Sequence, residues 1–279
     1  MANSTTDSDG FITVSKKKST KGKKVQNYLK QHAAKETKED VNVEFCLKSI
    51  SIAKTEVEIS DFFQSLKLLL RVALKNDQDH KDIKNIVCWG LGSFTSCKIA
   101  LHQLALLLLL SEHLNCPAEV FDPIFSQADK QILSQLKLCT SEENCEGKRK
   151  SGPVGATLFI LPHCPRELSN NLLYANWKPS LLENCIVFAN SLESLRLNTP
   201  ERFLSNYHYL LQAQEVVEEL QVPNTYRFPD VFNDLSLHIF PTRLLQKVQP
   251  EFWDASESPI YPESTWSELV SRSDRQDGS

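Results

Sequence analysis

The sequence predicts an α/β fold: an open, mostly parallel, Rossmann-like sheet with helices on both faces, in one domain. Two observations in the sequence predict it. Four short apolar runs alternate with helical patterns, as buried parallel strands do when crossover helices join them. In addition, the run Ile86-Val87-Cys88-Trp89 ends in Gly90-Leu91-Gly92, then hydroxyl residues, and an apolar helix pattern follows at once. That is how a strand hands over to a helix in nucleotide-binding units, where glycines let backbone approach a ligand and the helix N-terminus offers unpaired N–H groups. The dinucleotide fingerprint is incomplete, because Thr95 stands where its third glycine belongs. The stretch argues for a pocket without naming the ligand.

The 279 residues suffice for one sizeable domain with tails, and a hydrophobic share of 41% against 24% charged is that of an ordinary globular chain. Residues 1–40 read as a disordered, lysine-rich tail. Nine lysines against five acidic residues give it a net +4, so the remainder carries −8. An acidic remainder argues against direct nucleic-acid binding. Six lysines lie between Lys16 and Lys24, either a nuclear-import or nucleic-acid-contacting arm or simply a solvated tail.

The α/β domain is expected over residues 41–245. From Val41 to Lys75 the pattern is helical, with Ser60-Asp61 as a plausible N-cap inside it. Strand Ile86–Trp89 leads to a helix from about Thr95 to Leu114, whose apolar stretch Leu104–Leu110 spans seven residues. A bilayer needs roughly 20, so this is a buried helix and no membrane partner is expected. Strand Glu119–Phe121 ends at Asp122-Pro123, and a helix follows from about Ser126 to Leu136. After a polar loop, Thr140 to Gly152, strand Thr157–Leu161 ends at Pro162-His163-Cys164-Pro165 and a helix runs through Leu168, Leu172 and Leu173. Strand Cys185–Ala189 ends at Asn190-Ser191. Pro200 opens a helix to about Leu220, and Phe232–Phe240 is the final strand, with Asp234, Ser236 and His238 on one side by alternation. Residues 246–279 read as an acidic tail, weakly structured or packed back on the domain.

In an open α/β sheet the ligand crevice lies beyond the carboxyl ends of the strands. A parallel sheet would bring Gly90, Gly92, Ser93, Asp122, His163, Cys164 and Asn190 to one edge, and these are the candidate ligand-binding residues. Each has a plainer role open to it. Asp122 could accept ribose hydroxyls, although it lies 30 residues after Gly92 rather than the usual roughly 20, and Asp-Pro also opens turns. His163 could be a general base or a loop histidine. Ser93 and Asn190 could bind ligand or cap helices.

Eight cysteines, at 46, 88, 97, 116, 139, 145, 164 and 185, several of them in apolar runs, fit reduced thiols of a chain that is cytoplasmic, or nuclear by way of the lysine run, and not secreted. No Cys-x-x-Cys occurs, which argues against a structural zinc site. Cys164 lacks an obvious activating base, but Cys116-Pro117 and Cys164-Pro165 resemble the short haem-regulatory motif, and a thiolate can be an axial haem ligand.

The blocks Trp89–Phe94, Gln103-Leu104-Ala105, Phe121-Asp122-Pro123, Pro162–Pro165, Asn176-Trp177, Asn190-Ser191 and Phe232–Phe240 together resemble the Sensitivity to Red Light Reduced (SRR-like) family. The match runs from about Asp61 to Phe240, and the basic stretch after Gly10-Phe11 is similar to the start of animal members. The resemblance implies a regulatory role, in circadian clock function, plant light signalling and control of haem biosynthesis. It brings no established reaction, and the residues assemble no catalytic constellation in sequence. Three readings stay open: a regulator with a ligand-sensing α/β domain, binding haem or a nucleotide-like molecule; a nucleotide- or S-adenosylmethionine-dependent enzyme; and an interaction module working through protein partners.

Overall fold

The protein is seen in a computed structural model, which describes residues 4–6, 12–14, 42–75, 82–254 and 258–261. Of the expected tail 1–40, the described residues are two short strands, β1 (Ser4–Thr6) and β2 (Ile12–Val14), paired antiparallel. The Lys16–Lys24 run and residues 262–279 lie outside the described residues, as do 255–257.

The α/β unit begins with two helices, divided at the Ser60-Asp61 cap expected within the helical stretch. Helix α1 (Val43–Glu58) starts at Asn42, whose side chain accepts from the Phe45 N–H. Helix α2 (Asp61–Lys75) starts after Ser60, whose hydroxyl accepts from the Phe63 N–H at 3.2 Å, so this cap divides the stretch. Strand β3 (Ile83–Trp89) leads through a turn to α3 (Lys98–Leu114). Apolar on nearly every side, α3 is buried between the sheet and α1, and it ends at Asn115 in the left-handed conformation that closes many helices.

Strand β4 (Ala118–Phe121), helix α4 (Gln127–Gln135) and the two-residue strand β5 (Cys139–Thr140) follow. Strand β6 (Ala156–Leu161), helices α5 (Arg166–Ala175) and α6 (Pro179–Leu182), and β7 (Cys185–Asn190) continue the alternation. The loop before β6 is pinned: the buried Asn176 accepts from the Ser151 N–H at 2.7 Å and donates to the Arg149 carbonyl at 2.8 Å.

The long helix expected from Pro200 to Leu220 is absent. After α7 (Leu192–Leu197) the chain makes short helices α8 (Glu201–Leu204) and α9 (His208–Gln212), linked by 3₁₀ turns, and then strand β8 (Glu218–Gln221). Pairing with β9 (Leu235–Ile239) claims those last residues for the sheet, an instance of tertiary context overriding helix propensity. Helix α10 (Thr242–Leu245) follows. Packing extends past residue 245: the buried Trp177 indole donates to the Phe252 carbonyl at 3.0 Å, and its ring meets those of Phe252 and Trp253.

The seven strands lie in the order β5-β4-β3-β6-β7-β9-β8. All pairs from β5 to β7 are parallel, while β9 is antiparallel to both its neighbours. Counted along the sheet this is the dinucleotide-type order 3-2-1-4-5-6 with one antiparallel strand inserted before the last. Alternating side chains feed two cores. Ile86, Cys88, Val120 and Phe188 pack with α1–α4 on one face; Val87, Trp89, Phe159 and Val187 pack with α5 and the chain beyond it on the other.

Candidate functional site

Strand β3 has β4 on one side and β6 on the other, so the chain leaves it in opposite directions, the point at which open α/β sheets hold their ligands. The register places Trp89 beside Phe121, Cys88 beside Ile160, and Leu161 beside Ala189. The next row outward is therefore Gly90, Asp122, Pro162 and Asn190, spanning three strand spacings, about 14 Å. Because Ala189 faces the second core, alternation turns Asn190 toward the α1–α4 side, whereas Gly90, at a positive φ, faces Cys164 of the second core.

Most of the glycine turn's polar groups are already satisfied. Gly90 and Gly92 sit at φ +67° and +79°, a region that side chains disfavour. A Cβ on Gly90 would run into the Cys164 Sγ, whereas one on Gly92 would meet only the Ala100 methyl at an ordinary 3.6 Å. Asp122 spends both oxygens on backbone: Oδ2 accepts from the Gly92 N–H at 2.8 Å and Oδ1 from the Ile124 N–H at 2.9 Å. Ser93, Thr95 and Ser96 join hydroxyls at 3.2 and 3.1 Å.

Sequence reasoning missed Asp129. Fully buried, it accepts from the Thr95 N–H and hydroxyl through Oδ1 and from the Ser126 N–H and hydroxyl through Oδ2, at 2.8–3.2 Å. It thus fastens the glycine turn to the start of α4. Its signal was the Ser-x-x-Asp capping box over Ser126–Asp129.

His163 does not join Asp122. It is exposed, at φ +56°. Partial burial lowers its pKa, while the Val231 carbonyl and the carboxylates of Asp234 and Asp230 act the other way. Its polar surroundings are thus the loop before β9. No acid–base pair with Asp122 is assembled.

Cys164 is packed into the site as a structural thiol. It is 8% exposed and donates to the Trp89 carbonyl at 3.3 Å. Burial raises its pKa well above the thiol range, with the Cys88 and Asp122 charges adding to the effect. A nucleophile or thiolate ligand needs the opposite. Cys116 is equally buried, and burial raises its pKa too. In both Cys-Pro pairs the thiol is buried and held toward its neutral form.

Asn190 differs from its neighbours in the row: its buried Oδ1 has no hydrogen-bond partner among the described residues.

Behind β7, His238 and Ser236 face the second core fully buried, whereas Asp234 precedes the strand in the left-handed region. His238 Nε2 accepts from the Leu192 N–H at 3.3 Å and lies 3.4 Å from Glu219 Oε2, and its Nδ1 is 3.0 Å from the Val187 carbonyl. Burial raises the Glu219 pKa, but the contacts with His238 and the Ser191 hydroxyl outweigh it and hold the carboxyl at about 2. This network ties the antiparallel strands to α7. The loop before β9 is anchored on the other face, where Gln103 donates to the Val231 carbonyl at 3.0 Å and Phe232 stacks on Phe62 at 4.2 Å.

Fold and edge together define a Rossmann-like α/β protein whose strand ends converge in one row. Residues 47–239 match the SRR1 domain family, and the chain belongs to that family. It is 35% identical to a Drosophila melanogaster SRR1-like protein over 216 residues, 77% of this chain and 75% of the relative. A Mus musculus SRR1-like protein is 39% identical over 46% of this chain and 53% of its own. The Arabidopsis thaliana protein SENSITIVITY TO RED LIGHT REDUCED 1 is 27% identical over 56% and 58%. Among solved structures, the apo form of the S-adenosylmethionine-dependent methyltransferase SibL aligns over 78% of this chain and 74% of its own, with 13% identity and a TM-score of 0.32. Among the described residues, no helix is long and apolar enough to cross a membrane.

Proposed function

We propose that this SRR1-family chain is a regulatory protein whose α/β domain senses a small, nucleotide-sized ligand at the carboxyl edge of the sheet. The regulation would act in the cytoplasm and nucleus, on circadian gene expression and haem biosynthesis. The observation that carries the binding role is the row Gly90, Asp122, Pro162, Asn190, which ends in a buried acceptor without a donor among the described residues. A buried polar atom left unpaired costs about 1–3 kcal/mol, and a ligand N–H or O–H delivered to Asn190 Oδ1 removes that cost. Sensing rather than turnover is favoured because His163 faces the loop before β9 and Cys164 is a buried donor to Trp89.

Thermal unfolding with S-adenosylmethionine, nicotinamide and adenine nucleotides, and ferric haem tests this. A binder at 100 times its dissociation constant adds about 2.7 kcal/mol of stability. The expected result is a shift with a nucleotide-like member, lost in Asn190→Leu. Silence across the panel, or a shift that Asn190→Leu leaves intact, counts against the reading.

A second reading, protein interaction, is favoured by α1. Phe45, Ile52 and the capping Ile59 are 67%, 54% and 76% exposed at seven-residue spacing, a line of apolar groups on one side of the helix. Phe45→Ser with Ile52→Ser should leave melting unchanged while reducing the set of neighbours found by proximity labelling in cells. An unchanged set would remove this reading.

A further inference from the structure

Helix α5 turns polar side chains into the protein, among them Glu167, Asn170 and Asn171, which are 3%, 0% and 0% exposed. Buried groups of this kind must find partners. Glu167 accepts from the Tyr207 hydroxyl at 2.8 Å, Asn170 Oδ1 from the Leu210 N–H at 3.0 Å, and Asn171 Nδ2 donates to the Glu146 carbonyl at 2.7 Å. The remaining donor and acceptor are served by one residue from far along the chain. Asn170 Nδ2 donates to the Tyr261 hydroxyl at 2.8 Å, and that hydroxyl donates to Asn171 Oδ1 at 2.9 Å, with the Glu167 carbonyl 3.3 Å away. The Tyr261 ring stacks on Tyr207 with centroids 5.8 Å apart. Its neighbour Ile260 is 80% exposed, while Tyr261 itself is half-buried.

We propose that Tyr261 is a latch on α5 and a site of regulatory phosphorylation, because a phosphoryl group on its hydroxyl cannot be seated there. A kinase would transfer the γ-phosphoryl of ATP: the Tyr261 Oη–P bond forms, the bond to the β-phosphate oxygen breaks, ADP leaves, and the phenolic proton passes to a base. The product has no hydrogen to give Asn171. It also sets nearly two negative charges beside the buried Glu167 carboxylate, an arrangement that repels. Arg166, the adjacent cation, is held on the Thr199 hydroxyl at 2.8 Å. The modified segment therefore leaves α5, and Asn170 and Asn171 each lose a partner.

The test is hydrogen exchange of the 166–175 amides in the full chain, made with phosphotyrosine encoded at position 261 and compared with wild type, Tyr261→Phe and Tyr261→Ala. Phosphotyrosine and Tyr261→Ala should each speed exchange of α5 about tenfold or more, the effect of losing the two hydrogen bonds to Asn170 and Asn171. Tyr261→Phe, which keeps the ring stack, should show a smaller increase, and phosphatase treatment should restore slow exchange. Wild-type exchange in the phosphorylated chain would overturn the modification site, and wild-type exchange in Tyr261→Ala would overturn the latch itself.

Discussion

Two ends of the same row of the sheet treat their polar groups in opposite ways. At the β3 and β4 end, Asp122 and Asp129 pair with the N–H groups of Gly92 and Thr95, and Cys164 packs against Gly90. At the β7 end, Asn190 Oδ1 is buried and has no hydrogen-bond partner among the described residues. The glycines carry the louder sequence signal, yet they belong to a turn that its own carboxylates hold shut. The quieter asparagine is the member of the row with a buried acceptor left unpaired among the described residues. A motif that supplies donors marks a binding site only where the protein has not already used them.

The comparison can be broken hardest at Gly90. Gly90→Val combines a left-handed backbone with a side chain driven into Cys164, and should destabilise by about 2–5 kcal/mol in urea unfolding. Adding Cys164→Ala should return part of that loss; no return would mean the backbone alone sets the cost. Asp129→Ala comes next. It strands the Thr95 and Ser126 groups and should cost about 2–4 kcal/mol, with the turn's amides exchanging faster.

Glu219 gives a smaller, pH-dependent effect. Its folded value of about 2 lies below the ordinary 4.5, so its contribution is present above pH 4.5 and fades as pH falls toward 2. Between those limits wild type should lose on the order of 1–3 kcal/mol more stability than Glu219→Gln. Parallel pH profiles for the two proteins would show that the His238 contact does not matter.

The four central strands and the strand-to-helix turn were legible because apolar runs and glycine spacing are local. Strand β8 was not: Glu218, Glu219 and Gln221 are good helix formers, and only pairing with β9 makes them a strand. Nor could spacing reveal that Asp129 reaches Thr95 across 34 residues, or that Cys164 would serve Trp89 across 75. His163 looked like a site residue because it follows a strand end. Its left-handed backbone instead sets it against the loop before β9, a segment more than 60 residues later in the chain. The row itself was foreseeable from strand ends, but which member of it lacked a partner depended on three-dimensional packing.

The most direct measurement is urea unfolding of ligand-free Asn190→Leu beside wild type. Removing an unpaired buried oxygen while keeping the volume should leave stability unchanged or raise it by up to about 1 kcal/mol. A loss of 2 kcal/mol or more would mean that Asn190 already has its partner within the protein, and would contradict the ligand-sensing role given to this edge.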